Sequence, residues 1–136
     1  MKSALIDAGP IIALFDRDDQ YHRVTLNFIE KYKGRLISTW PVLTEVSYML
    51  DFNAKVRFNF LDWVSNGGIE LHNLEQWDLK RVRAIMAKYH DLPADFADAT
   101  LLQAAESLKL KYIVSLDRDF QVYRLDKGRS LTNLLQ

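Results

Sequence analysis

The acidic residues Asp7, Glu45, Asp95, Asp98, Asp117 and Asp119 occupy positions where carboxylates can act together. Asp7 stops the short apolar run Ala4-Leu5-Ile6 and precedes Gly9-Pro10 and a second apolar run. Asp117 follows Tyr112-Ile113-Val114-Ser115 in a similar way. Asp95 and Asp98 lie one helical turn apart at the head of the segment 95–108, and so on one helix face. Glu45 lies about one turn into a helix that starts near Pro41, directly after Leu36-Ile37-Ser38. Each acid has a local explanation, because acids at helix N-termini cap the helix or oppose its dipole and Asp is common in turns. Jointly they point to a cation site. Carboxylates gathered at one edge repel one another, and a divalent ion offsets that cost. Ligation by oxygen alone selects hard ions such as Mg²⁺ or Mn²⁺. Such an ion lowers the pKa of water and polarises a phosphoryl oxygen, so chemistry on phosphate esters is within reach without a Ser, Cys or His nucleophile.

The surrounding pattern supplies that edge. Lys2 to Ile6 reads as a buried strand, Gly9-Pro10 as a tight turn, and Pro10 to about Asp16 as a helix. A helix from His22 to Lys33 carries Val24, Phe28 and Tyr32 on its inner face, and Lys33-Gly34 ends it. Leu36–Ser38 is a short strand, and the helix after it turns Leu43, Val46, Ser47 and Leu50 inward. Val56, Phe60, Leu61 and Val64 mark a further helix, stopped at Asn66-Gly67-Gly68. Ile69–Leu71 alternates as a strand, and Glu75 to Tyr89 is helical with Leu79, Val82, Ile85 and Met86 inward. Asp95 to Leu108 is the clearest helix, with Ala97, Leu101, Ala104 and Leu108 in one stripe. Tyr112–Ser115 is an apolar strand, Gln121–Leu125 an edge-strand candidate, and Leu131, Leu134 and Leu135 pack the tail on the surface. Strands alternating with helices throughout predict an α/β fold, a parallel sheet covered on both faces. Ligands in such sheets bind outside the carboxyl ends of the strands, where all of these acids fall.

Composition narrows the class. The 136 residues suit one domain, residues 1–136. Eighteen basic and 18 acidic side chains give a formal net charge of zero, so there is no global electrostatic case for nucleic-acid binding. The absence of cysteine excludes disulfides, thiolate metal sites and Cys nucleophiles. The N-terminal apolar run is too short for a signal-peptide core, and no stretch approaches a membrane span. A soluble cytoplasmic protein is the expectation.

In order and spacing, Ile6-Asp7-Ala8-Gly9-Pro10, Trp40-Pro41-Val42-Leu43-Thr44-Glu45, Asp95-Phe96-Ala97-Asp98-Ala99 and Val114-Ser115-Leu116-Asp117-Arg118-Asp119-Phe120 resemble the PIN-domain proteins, and more narrowly the VapC-type toxin ribonucleases. The resemblance runs over nearly the whole chain. It implies a PIN-like three-layer α/β/α fold with a mostly parallel sheet of four to five strands. It matches Asp7, Glu45, Asp98 and Asp117 to the family's acidic set as catalytic and metal-binding residues. Asp95 is an additional acid, either a ligand in place of Asp98 or a group supporting it. Ser115 stands where the family has Ser or Thr. The resemblance further implies Mg²⁺- or Mn²⁺-dependent cleavage of RNA leaving a 5′-phosphate and a 3′-hydroxyl, a homodimer, and a small antitoxin partner. Gly9 departs from the Asn or Ser found in many relatives.

Arg17, His22, Arg23, Arg35, Arg118 and Arg124 are candidates for a phosphate-contacting rim, with Arg118 best placed unless it pairs with Asp117 and Asp119. Trp40 either stacks an unpaired base or staples its helix start to the core, and the staple is the expectation. Two rival readings fit less well: a PIN-like module that binds RNA or regulates without cleaving, against which the intact acidic set argues, and a phosphatase using Asp7 as a covalent nucleophile. The latter requires a second Asp where this chain has Gly9.

Overall fold

The computed structural model describes residues 2–135. Its strands are β1 (Ala4–Ile6), β2 (Leu36–Ser38), β3 (Glu70–Leu71), β4 (Tyr112–Val114) and β5 (Thr132–Asn133). They form a five-stranded sheet in the order β3-β2-β1-β4-β5, with every pairing parallel. The connections contain α1 (Ala8–Phe15), α2 (His22–Lys31), α3 (Trp40–Met49), α4 (Ala54–Ser65), α5 (Leu79–Lys88) and α6 (Phe96–Leu108). This is the helix-flanked α/β arrangement that the alternation predicts. β1 is wholly buried, which explains why its residues are continuously apolar rather than alternating. In α6 the small residues Ala97, Ala99, Ala104 and Ala105 are all buried, and their size lets the helix approach its neighbours closely. No helix among the described residues is long and apolar enough to cross a membrane.

Several boundaries differ from the sequence reading for identifiable reasons. There is no turn at Gly9-Pro10. α1 starts at Ala8, and Pro10 occupies its first turn, where the missing N–H costs nothing. Residues 121–125 are not a strand. A 3₁₀ turn covers Arg118–Gln121, and Tyr123 and Leu125 anchor the following loop by burial. Their alternation imitates an edge strand, whereas the actual edge strand is β5 in the tail, paired to β4. The helix beginning at Glu75 opens instead with a 3₁₀ turn, Gln76–Asp78, closed by a capping box between Glu75 and Asp78. Val24, Leu61, Leu79 and Leu108 are exposed rather than part of the core.

The strand order fixes the location of the site. From β1 the chain passes to β2 and β3 on one side, then returns to β4 on the other. The reversal lies between β1 and β4, the topological switch point where open α/β sheets hold their ligands.

Candidate metal centre

Asp7 ends β1 at that switch point. Its backbone N–H donates to the Val114 carbonyl at 3.0 Å, joining the ends of β1 and β4. Its Oδ1 accepts from the Ala8 N–H at 2.8 Å, so Asp7 caps α1. Its Oδ2 accepts from the Ser115 hydroxyl at 3.1 Å. Capping and membership of the acidic site are therefore not alternatives. The Ser115 Oγ in turn accepts from the Asp117 N–H at 3.0 Å, and Asp117 Oδ1 accepts from the Asp119 N–H at 2.9 Å. One hydroxyl thus ties both carboxylate-bearing strand ends together.

Asp98 arrives from α6. Asp95 caps that helix by accepting from the Asp98 N–H at 2.8 Å, while Asp98 Oδ2 accepts from the Tyr123 hydroxyl at 3.1 Å. A buried pair, Thr39 and Thr100, with oxygens 2.8 Å apart, links the starts of α3 and α6. The Ser38 hydroxyl donates to the Ile6 carbonyl at 2.9 Å, so the end of β2 is pinned to the same frame. The outcome is compact: one carboxylate oxygen each from Asp7, Asp98 and Asp117 lies within 4.8 Å of the others. Glu45 and Asp95 line the same cleft of about 360 Å³ but stand outside this cluster. Of the two acids on α6, Asp98 joins the triad and Asp95 serves as the cap.

The electrostatics follow from burial without a counter-charge. Asp7 is 6% exposed, and its carboxyl is pushed up to about 7, chiefly by desolvation, with Glu45 and Asp117 adding repulsion. The Ala8 N–H and the Ser115 hydroxyl act in the opposite direction. Asp98 is pushed up to about 8 by burial, then by Asp7 and Asp95. Glu45 is raised by burial and by Asp95 and Asp117. None of these acids forms a salt bridge with Lys, Arg or His among the described residues. Converging oxygen donors, partial burial and no cationic side chain form a donor set that fits a hard divalent ion.

Two supporting groups carry predictions. Ser115→Ala removes the hydroxyl between Asp7 and the Asp117 N–H, and should cost about 10–100-fold in Mn²⁺ affinity with an unchanged circular dichroism spectrum. Tyr123 escapes the sequence reading because its alternation with Leu125 looks like a strand. Its available signal is that a buried Tyr hydroxyl needs a partner. Its hydrogen bond lowers the Asp98 pKa. Tyr123→Phe should therefore raise that pKa further, letting protons compete with Mn²⁺ up to a higher pH. A titration of Mn²⁺ affinity against pH reads the shift.

The arginine rim is sparser than the sequence suggests. Arg35 precedes β2, at the opposite edge of the sheet, and its Nε donates to Glu70 at 2.9 Å. Arg124 Nη1 donates to the carbonyls of Gln121, Val122 and Tyr123 and holds a loop. His22 Nδ1 sits 2.7 Å from the Ala13 carbonyl. Arg17, Arg23 and Arg118 are exposed, and Arg118 makes no salt bridge to Asp117 or Asp119 among the described residues. Trp40 is no staple: it is 57% exposed, with its indole N–H donated to Asn73 Oδ1 at 3.0 Å.

The chain resembles known proteins in sequence and in fold. A family model described as the PIN domain matches residues 4–125. The ribonuclease VapC26 of Mycobacterium tuberculosis is 25% identical over 116 residues, covering 84% of this chain and 86% of the relative. The crystal structure of Mycobacterium tuberculosis VapC20, a toxin that cleaves the sarcin-ricin loop, superposes with a TM-score of 0.79 at 12% identity, covering 88% of this chain and 93% of that one. DNA-bound VapBC from Salmonella typhimurium superposes with a TM-score of 0.63 at 15% identity, covering 98% of each chain.

Proposed function

Since the chain belongs to the PIN-domain family, we propose that it is a divalent-ion-dependent endoribonuclease, the toxin of a toxin–antitoxin pair. The observation that carries this reading is the convergence of Asp7, Asp98 and Asp117 within 4.8 Å at the switch point of the sheet. These three would hold Mg²⁺ or Mn²⁺, with Glu45 and Asp95 facing the same cleft. The ion supplies charge neutralisation at the phosphoryl group and a more acidic water. Ser115 and the Ala8 N–H orient the Asp7 carboxylate, and Tyr123 orients Asp98. Glu45, outside the triad and not engaged as a helix cap as Asp95 is, would orient the attacking water and accept its proton. The water oxygen bonds to phosphorus, the bond to the 3′-oxygen breaks, and that oxygen takes up a proton from solvent, balancing the one that Glu45 accepts. The products are a 5′-phosphate and a 3′-hydroxyl.

The reading includes two partners. The Salmonella typhimurium neighbour is a VapBC protein with DNA, and another neighbour is a toxin–antitoxin complex from Klebsiella pneumoniae. They support a small antitoxin partner, and its blocking of the cleft and a homodimer complete the proposal. The test is incubation of antitoxin-free protein with a panel of structured RNAs in Mg²⁺, Mn²⁺ or EDTA, followed by analysis of the product ends. Cleavage only with the ions, leaving 5′-phosphates, supports the reading. Cleavage that persists in EDTA overturns it. RNA binding without cleavage across the panel would instead favour a non-cleaving module.

A further inference from the structure

Beside the acidic cleft lies a second, more apolar one of about 530 Å³, lined by Trp40, Pro41, Thr44, Glu45, Asp95 and Phe96. Glu45 and Asp95 line both, so the two clefts adjoin. Trp40 is the first residue of α3 and Phe96 the first of α6, the two helices that also bring Glu45 and Asp98 to the site. Both rings remain open to solvent, at 57% and 42% exposure. The Trp40 indole is also held in place by its hydrogen bond to Asn73. A large, exposed ring held at one edge is pre-organised for stacking, because less side-chain freedom remains to be lost on contact.

We propose that this cleft is a base-stacking subsite, in which Trp40 and Phe96 receive an unpaired base of single-stranded RNA next to the phosphate held over the acids. The inference rests on the ribonuclease reading for the identity of the neighbouring phosphate. The chemistry suits this chain. Its net charge is zero and Arg35 and Arg124 are engaged away from the cleft, so stacking would add affinity that phosphate contacts alone supply sparsely. Stacking on aromatic rings provides it and tolerates any base, since every base has a π-face. An unpaired base is required, because a base inside a duplex offers no free face.

The test measures binding apart from cleavage. In the parent protein with Ca²⁺ in place of Mg²⁺, a hard ion that oxygen ligands hold and that keeps binding apart from cleavage, fluorescence anisotropy follows an end-labelled adenosine octaribonucleotide and an abasic octamer of the same backbone. Trp40→Ala is expected to weaken binding of the adenosine oligomer about tenfold or more. Phe96→Ala should weaken it too, while Trp40→Phe largely preserves it. The abasic oligomer should bind the Trp40 variants and their parent alike. Equal weakening of the abasic oligomer, unchanged binding of the adenosine oligomer, or no binding of either by the parent overturns the subsite. So does a Trp40→Ala change in sedimentation with RNA binding unaltered, which would assign the cleft to a second copy of the chain. Trp40-dependent base binding without ion-dependent cleavage leaves the subsite standing and removes the nuclease reading. Cleavage with Trp40-independent binding does the reverse.

Discussion

Asp7→Asn should abolish RNA cleavage while leaving the ion-free protein as stable as the parent, or more so. The two effects share one origin. Asp7 is buried at the end of β1 among other acids, and its carboxyl is pushed up to about 7 by that burial. Near neutral pH the folded chain must carry either an uncompensated charge there or a proton. Asn has the same shape, can still accept from the Ala8 N–H, and carries no charge. It therefore relieves the repulsion from Glu45 and Asp117. It cannot supply the anionic oxygen that a divalent ion requires. A metal site contributes several kcal/mol of transition-state charge stabilisation, so activity should fall by about 10³-fold or more. Thermal melts in EDTA at pH 8 should show a midpoint for the variant at or above that of the parent. Unchanged cleavage, or a variant that fails to fold, would contradict the assignment of Asp7.

The second large effect is a pH dependence that changes with the ion. Asp7 and Asp98 are raised in the folded state, to about 7 and about 8. The folded chain thus binds more protons than the unfolded chain between the ordinary carboxylate pKa and those values. Unfolding free energy consequently falls as pH rises across that window. The contribution is fully present below about pH 4 and lost as pH passes through the folded values. For Asp7 alone the swing is on the order of 4 kcal/mol. In EDTA, the melting temperature should climb as pH is lowered from 8 to 6. Mn²⁺ should reverse the trend, because it binds the deprotonated site. At about 100 times its dissociation constant it adds about 2.7 kcal/mol of stability, and that gain should shrink towards pH 5.5 as protons compete. An equal Mn²⁺ stabilisation at pH 5.5 and pH 8 would show that the ion binds elsewhere.

These effects depend on residues of uneven legibility. Asp7, Asp98 and Asp117 could be located from sequence because each follows or begins an apolar run, and strand–helix alternation sends all such junctions to one edge. Choosing between Asp95 and Asp98 required the backbone, since spacing puts both on one face and only the position of the helix start makes Asp95 the cap. Tyr123 was hidden because residues 121–125 alternate like a strand while serving as a buried loop anchor. The true edge strand, β5, is two residues long, too short to carry a pattern. Trp40 misleads in another way. Large aromatic residues at helix starts are expected to bury, and only the structure shows its indole turned out and tied to Asn73.

The central claim is that Asp7, Asp98 and Asp117 hold a divalent cation, and Mn²⁺ binding followed by electron paramagnetic resonance tests it most directly. At pH 8 the free Mn²⁺ signal should fall when the wild-type protein is added, and should stay at its protein-free level when the Asp7→Asn/Asp98→Asn double variant is added. An equal loss of signal with both proteins would contradict the claim.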